Sequence, residues 1–212
     1  MKTILSLLVC GLLIFAQVSG AAPAFGVKAG LNLANMTFDP SEGTSTSIRT
    51  GIGIGGDVEF SLTPTNKITL RTDVMYMMKG AKDKGTLLGY DYTATYKVDE
   101  IVVAPFLVFR FPSGGATPFL QVGPELGLNV TKKVSVEAAG VTASGDISDW
   151  SGTNFGLNLG GGVAVPTGKA EVVFDARYNL GLTNMYTGSG GGTIKTNGIQ
   201  FLVGYNFSVP AK

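Results

Sequence analysis

Histidine is absent from this chain of 212 residues, and it has a single cysteine. These absences exclude histidine-based catalytic triads, metal sites with histidine ligands, redox pairs of cysteines and disulfide frameworks. Charged residues make up only 15% of the chain, against about 25% in an ordinary soluble domain. The formal net charge is +1, so no bulk field attracts nucleic acid. We therefore predict a protein that is not an enzyme, has no cofactor or bound metal and does not bind nucleic acid.

The beginning of the chain has the pattern of a secretory signal peptide. Lys2 supplies a positive charge, residues 4–15 are almost all apolar, and a run of small residues follows. We predict a signal peptide over 1–20, with cleavage after Ala24 as the alternative, and one domain over 21–212. After the signal, no apolar run approaches the roughly 20 residues that a transmembrane helix needs.

Apolar and polar residues alternate from Phe25 onward. Between positions 25 and 33 the odd residues are apolar, whereas the even ones are Gly, Lys or Asn. A period of two is typical of β-strands. It returns in seven more segments, near 51–62, 68–78, 99–111, 120–130, 154–165, 171–182 and 199–207. The eight segments predict eight strands, each close to the ~9 to 11 residues that cross a bilayer at a tilt.

The connections between these segments alternate in length. Short turns are predicted at 63–66, 112–117 and 166–169, and long polar loops at 35–50, about 79–97, 131–153 and 183–197. This order is typical of an all-β, eight-stranded antiparallel up-and-down transmembrane β-barrel, with short periplasmic turns and four long extracellular loops. We therefore predict a protein of the cell outer membrane, with outer-membrane lipid around its apolar face.

Aromatic residues support the same arrangement, because membrane barrels carry aromatic girdles at both interfaces. Three aromatic residues fall near the predicted long-loop ends of the strands: Tyr76, Phe155 and Tyr178. More fall near the predicted short-turn ends: Phe25, Phe60, Phe109, Phe111, Phe119, Tyr205 and Phe207.

The polar face of the predicted sheet is rich in glycine and also carries charged residues. An eight-stranded barrel has an interior just wide enough for side chains to fill it. We predict that glycines leave room there for a polar network made by nine residues: Lys28, Asp57, Glu59, Arg71, Asp73, Arg110, Glu125, Asp175 and Arg177. The lumen should then be filled, and any recognition should lie in the surface loops.

Three other interpretations stay open at this point. A small porin-like channel or uptake protein would have the same strands around an open lumen. A secreted soluble barrel of lipocalin type would turn its apolar face inward around a ligand. An outer-membrane enzyme that modifies lipid would need a catalytic Ser, Asp or Glu at the outer rim.

Three segments carry a family resemblance: 25–36, 177–185 and 199–207, which read FGVKAGLNLANM, RYNLGLTNM and IQFLVGYNF. In these segments the chain resembles the PorT-like outer-membrane β-barrel proteins of the Bacteroidetes type. The resemblance implies an eight-stranded barrel, roles that include assistance to protein secretion, and no catalytic residues.

The last predicted strand has a second interpretation besides contact with lipid. Its alternating apolar residues resemble the C-terminal signal that the barrel-assembly machinery recognises by strand pairing. They are Phe201, Val203, Tyr205 and Phe207.

The predicted long loops contain several basic residues and the single tryptophan. The lysines are predicted to be solvated, and contact with lipopolysaccharide or other surface glycans is the sharper hypothesis. Trp150 is predicted either to pack its loop or to anchor a ligand. The lysines concerned are Lys79, Lys82, Lys84, Lys132 and Lys133.

Overall fold

The computed structural model describes residues 23–40, 46–87 and 89–208. The predicted signal peptide lies outside these ranges. Within them the chain forms nine antiparallel strands and no helix: β1 (Ala24–Asp39), β2 (Thr46–Ser61), β3 (Ile68–Leu87), β4 (Tyr90–Arg110), β5 (Thr117–Ala138), β6 (Val141–Asp146), β7 (Thr153–Thr167), β8 (Ala170–Gly181) and β9 (Thr193–Ser208). This part of the chain therefore has no helix long and apolar enough to cross a membrane.

Eight of the strands close into a ring. Its order is β1, β2, β3, β4, β5, β7, β8 and β9, and β9 pairs with β1 to complete it. The remaining strand, β6, pairs with the C-terminal part of β5, residues 133–138, and is not a member of the ring. The predicted eight-stranded antiparallel barrel is confirmed, with one additional strand that the sequence pattern did not reveal.

The alternation of the sequence decides which side chains face outward. Successive side chains of a strand point to opposite faces, and the apolar set faces out. On β7, Leu159 is 63% exposed whereas its neighbour Asn158 is fully buried inside the ring. The mostly apolar segment 99–111 departs from this rule, because its inward positions are also apolar: Val102, Phe106 and Val108 of β4 face into the ring. A lipocalin-like barrel, with its apolar face inside, does not fit this arrangement.

Two of the predicted long loops are largely strand. β3 and β4 pair continuously up to Leu87 and Tyr90, so the loop expected over about 79–97 is a hairpin. The loop expected over 131–153 contains the β5–β6 hairpin. Polar, charged residues continue these strands beyond the predicted ends, and a polar composition alone does not distinguish a loop from a solvated hairpin. We call residues 81–87, 90–98, 132–138 and 141–146 the upper sheet.

The aromatic girdles are present on the outer face, with two exceptions. Phe25, Phe111 and Phe207 are exposed at the short-turn end, and Phe155 is exposed at the long-loop end. Phe60 and Phe119 were both expected in the girdle; Phe60 is only 7% exposed, and Phe119 faces inward and is 3% exposed. The position of Phe119 on β5 puts it in the inward register, and the guanidinium carbon of Arg71 lies 5.7 Å from the centre of its ring.

Candidate functional site

The middle of the lumen is filled by charged side chains from strands on opposite sides of the ring. Asp73 of β3 accepts hydrogen bonds from Lys28 of β1 at 3.1 Å and from Arg177 of β8 at 2.8 Å. Asp175 of β8 lies 3.1 Å from Nη2 of Arg71 and 2.6 Å from Nη2 of Arg177. All five residues are almost completely buried. We call this group, with Asp57 at 3.2 Å from Lys28, the central network.

Aromatic rings and one amide complete the packing of the central network. The guanidinium carbon of Arg177 lies 4.6 Å from the ring centre of Phe106, and that of Arg71 lies 5.4 Å from the same ring. Such cation–π contacts gain strength where water is excluded. Gln121 also donates to Asp175 at 2.6 Å. The charged groups therefore pack against an apolar surface, to which the inner face of β4 contributes most residues.

A separate group of charges lies toward the short-turn end. Nε of Arg110 is 3.1 Å from Glu59, and its Nη2 is 2.9 Å from Glu171. Thr69 donates a hydrogen bond to Glu59 at 2.7 Å. Glu171 was not among the predicted lumen residues, although its position in the β8 alternation could have indicated it.

A third group lies toward the long-loop end and contains Lys79. Nζ of Lys79 is 2.5 Å from Glu125 and 2.8 Å from Glu100. Asn158 donates to Glu125 at 2.8 Å, and Asn154 donates to Glu100 at 2.9 Å. We call these five residues the upper network.

Lys79 was expected in an external loop, and that prediction is wrong. Lys79 is 3% exposed, because β3 continues without interruption and position 79 keeps the inward register of Arg71 and Asp73. All nine residues predicted for the lumen lie on the inner face. Sequence reasoning missed Lys79 and Glu100 as lumen residues because the predicted loop began at one and the other lies on a mostly apolar segment.

Glycine is required where these charges come close to the barrel wall. A side chain at Gly127 would collide with the carboxylate of Glu100. At Gly162, an added Cβ would lie 2.7 Å from Cζ of Phe119. The glycine excess on the inner face thus makes space for the large side chains opposite.

One further cation fills an irregularity in the wall. The β2–β3 ladder shifts register between Ile48 and Gly53. Arg49 lies in this shift, donates to the carbonyl oxygen of Lys79 and pairs with Asp99 at 3.1 Å. Asn32 donates to the neighbouring carbonyl of Met78 at 2.9 Å. Side chains therefore satisfy carbonyl groups that the ladder leaves free at this point.

The long-loop end of the lumen is covered by an apolar cluster that we call the loop cap. Trp150 is 6% exposed and stacks on Tyr96 with ring centres 5.7 Å apart. Nζ of Lys132 donates to the carbonyl oxygen of Trp150 at 2.5 Å. Partial burial raises the pKa of Tyr96 above its ordinary value. All four connections at this end contribute to the cap: Met36, Phe38, Ala81, Tyr96, Val98, Ile147, Trp150, Met185, Tyr186 and Ile194. Of the two roles predicted for Trp150, the structure shows loop packing.

The other predicted loop lysines are not brought together in one pocket. Lys84 is exposed, Lys82 is half-buried, and Lys132 turns toward the loop cap. Lys133 lies 3.8 Å from Asp146 and directly opposite Lys97 of β4, which was not predicted. By register Lys82, Lys84, Lys97 and Lys133 lie on the outer face of the upper sheet and form what we call the basic band, whereas Lys132 lies on the opposite face.

The remaining features offer no chemistry of their own. Within residues 23–40, 46–87 and 89–208 no group of three or more acidic residues is arranged to hold a metal ion. A shallow groove of about 310 Å³ lies on the outer wall, around Gly161, Ala176 and Phe201. Its position is in the apolar face rather than in the lumen.

Comparison with known proteins gives one family and several similar structures. A family model described as outer membrane protein beta-barrel domain matches residues 15–187. Neisserial surface protein A is 18% identical, with a TM-score of 0.47 and coverage of 88% of this chain and 99% of that chain. OprG from Pseudomonas aeruginosa is 13% identical, with a TM-score of 0.47 and coverage of 90% of this chain and 99% of that chain. The outer membrane enzyme PagL is 16% identical, with a TM-score of 0.39 and coverage of 87% of this chain and 99% of that chain. No curated protein matches the chain.

Proposed function

Because the chain belongs to the outer membrane protein beta-barrel domain family and lies in the cell outer membrane, we propose that it acts through its extracellular surface. Its lumen, on this proposal, neither conducts solutes nor catalyses a reaction. The long-loop end then faces the exterior, because short turns of such barrels face the periplasm.

The filled lumen is the observation that carries this proposal. The central network joins β1, β3 and β8 through side chains that are at most 7% exposed. The loop cap covers the outer end above the upper network. A channel would need both the central network and the loop cap to move aside. The buried ion pairs oppose that movement, because separating them leaves uncompensated charges.

Electrical recording from planar bilayers tests the proposal against the porin-like alternative. Purified protein is reconstituted after its folded state has been verified by heat-dependent mobility on gels. The expected result is a baseline without steps over a range of voltages. Reproducible ohmic steps from the unmodified protein would contradict a filled lumen and favour a channel.

Binding of lipopolysaccharide or other surface glycans is the recognition that the basic band supports. Lys97 and Lys133 are cross-strand neighbours, and like charges placed opposite each other are unfavourable. Asp146, 3.8 Å from Lys133, compensates only one of these two charges. Replacing Lys82, Lys84 and Lys133 with Gln should weaken binding to lipopolysaccharide. Lys169→Gln is the matched control, since this exposed lysine lies at the short-turn end. Unchanged binding in the triple variant would exclude the basic band as the surface that binds lipopolysaccharide.

A role in secretion is the finer proposal that comes with the resemblance to PorT-like proteins. Segments 25–36 and 199–207, which carry the resemblance, form the two strands that close the barrel. Deletion of the gene, followed by comparison of exported proteins, tests this role. Loss of specific exported proteins would support it, whereas an unchanged set would leave recognition or a structural role.

A further inference from the structure

Strand β6 has one backbone edge to which no strand of the described residues is paired. Its only ladder is with β5, from Ala138↔Val141 to Lys133↔Asp146. All six residues of β6 are exposed. The strand stands at the margin of the upper sheet, outside the ring and above the membrane.

The turn geometry shows which backbone groups face this free edge. Ala139 and Gly140 have φ of 49° and 77°, and positive φ at both central residues defines a type I′ turn of two residues. The pair that closes such a turn is hydrogen-bonded, and bonded pairs alternate along an antiparallel ladder. Val141, Ala143 and Gly145 therefore bond to β5. Thr142, Ser144 and Asp146 direct their N–H and C=O groups to the free edge.

The free edge lacks the features that normally prevent pairing. Proteins protect exposed edges with proline, lysine, bulges or a covering segment. Residues 141–145 are Val-Thr-Ala-Ser-Gly, without proline or charge, and Val141 is 70% exposed. The unpaired row of donors and acceptors is therefore open to another extended chain.

The side chains around the edge define the chain that would fit. By register, Tyr92, Ala138 and Val141 lie on one face of the upper sheet, and the next row on that face is Ala94, Val136 and Ala143. The opposite face carries hydroxyl and charged groups, including Ser144, whose hydroxyl donates to that of Ser135 at 2.9 Å. A strand that alternates apolar and polar residues would continue both faces.

Charge complementarity separates a different protein from a second copy of this one. Asp146 is the only charged residue of β6. On its paired side, Asp146 already lies 3.8 Å from a cation, Lys133. Two copies in one membrane are related by rotation about the membrane normal, which sets residues of equal height side by side. Edge-to-edge pairing of two copies would thus bring Asp146 against its own equivalent, and like charges there are unfavourable.

We propose that the free edge of β6 binds an extended segment of another protein as an added strand. The segment alternates apolar and polar residues and carries a lysine or arginine opposite Asp146. Backbone hydrogen bonds supply the affinity, and the alternating side chains supply the specificity. This inference rests on the proposed function, because it assigns the recognition to the extracellular surface.

A peptide copying residues 132–138, Lys-Lys-Val-Ser-Val-Glu-Ala, is a suitable probe because β6 already pairs with this sequence inside the protein. The peptide carries a fluorophore, and its anisotropy is measured against the full-length barrel folded in detergent or nanodiscs. A peptide of the same composition in scrambled order is the control for general charge attraction.

Two variants at one position make the test specific. Ser144→Pro removes an N–H that faces the free edge and leaves the β5–β6 ladder intact. Ser144→Ala loses the same hydroxyl but keeps the N–H. We expect Ser144→Ala to bind as the unmodified protein does and Ser144→Pro to bind roughly tenfold more weakly, since the peptide's carbonyl is left without a donor. Asp146→Lys should also weaken binding, and it does not change the backbone.

The outcomes divide clearly. Equal binding by Ser144→Pro, or no binding by the unmodified barrel, overturns the inference. Self-association that Ser144→Pro abolishes, without peptide binding, would show that the occupant is a second copy and also overturns it. Conductance through the unmodified barrel would instead contradict the proposed function, and it leaves the peptide result unaffected.

Discussion

Removal of the Lys79 ammonium group tests whether the upper network is dry. Lys79→Met leaves Glu100 and Glu125 in the lumen without the cation that lies 2.8 and 2.5 Å from them. Both carboxylates are at most 3% exposed. Breaking a buried pair by removing one partner costs about 3–5 kcal/mol. We expect a loss of that size in the free energy of unfolding.

Urea unfolding of the barrel in phospholipid vesicles, with linear extrapolation to zero denaturant, measures this loss. The triple variant Lys79→Met, Glu100→Gln and Glu125→Gln should recover most of it, because neutral amides replace the uncompensated charges. Lys84→Met is the matched control on the same strand. That side chain is exposed, so the change should stay within about 0.5 kcal/mol.

A loss below about 1 kcal/mol for Lys79→Met, with no gain in the triple variant, would refute the reasoning. It would mean that water reaches both carboxylates and that the lumen is not filled at this level.

Three more predictions follow from the faces, the cap and the last strand. Spin labels at Leu159 and Asn158 should differ in accessibility to oxygen dissolved in lipid, because only Leu159 faces outward; greater accessibility at Asn158 would invert the barrel faces. The pKa of Tyr96 is raised above 10.0. The neutral side chain therefore contributes fully to the stability of the folded protein below pH 10.0, and this contribution is lost as pH rises through the raised pKa. Emission from Trp150, the only tryptophan, should accordingly shift to the red only above that pH, and a shift at neutral pH would contradict the stacking. Phe207→Asp should lower the amount of barrel in the outer membrane, as measured in isolated membranes, and a normal amount would argue against an assembly signal.

The inner and outer faces of the barrel could be predicted from the sequence because side-chain direction in a strand has a period of two. Asn158 and Leu159 needed nothing beyond their neighbours for that assignment. The same reasoning indicated Lys28, Asp73 and Arg177 as inward residues, although it could not show which charges meet across the lumen. Partners that lie far apart in sequence depend on the register of several ladders at once.

The strand ends could not be predicted, for a physical reason. A hairpin above the membrane is solvated on one face, so its residues have the composition of a loop. Lys79 was therefore placed outside, whereas it belongs to the lumen. Strand β6 and the buried position of Trp150 depend on contacts between loops, and a local pattern carries no information about them.

The ion pairs across the lumen also bear on how the barrel enters a membrane. Arg71 and Asp175 belong to strands β3 and β8, which stand diametrically opposite in the ring. A sheet that had curled only halfway would keep the pairs within one strand, Arg71 with Asp73 and Arg177 with Asp175, but could not form the pairs that cross the lumen. Insertion of this chain should thus be all-or-none, because the seam between β1 and β9 closes in the same event that completes the ion pairs across the lumen.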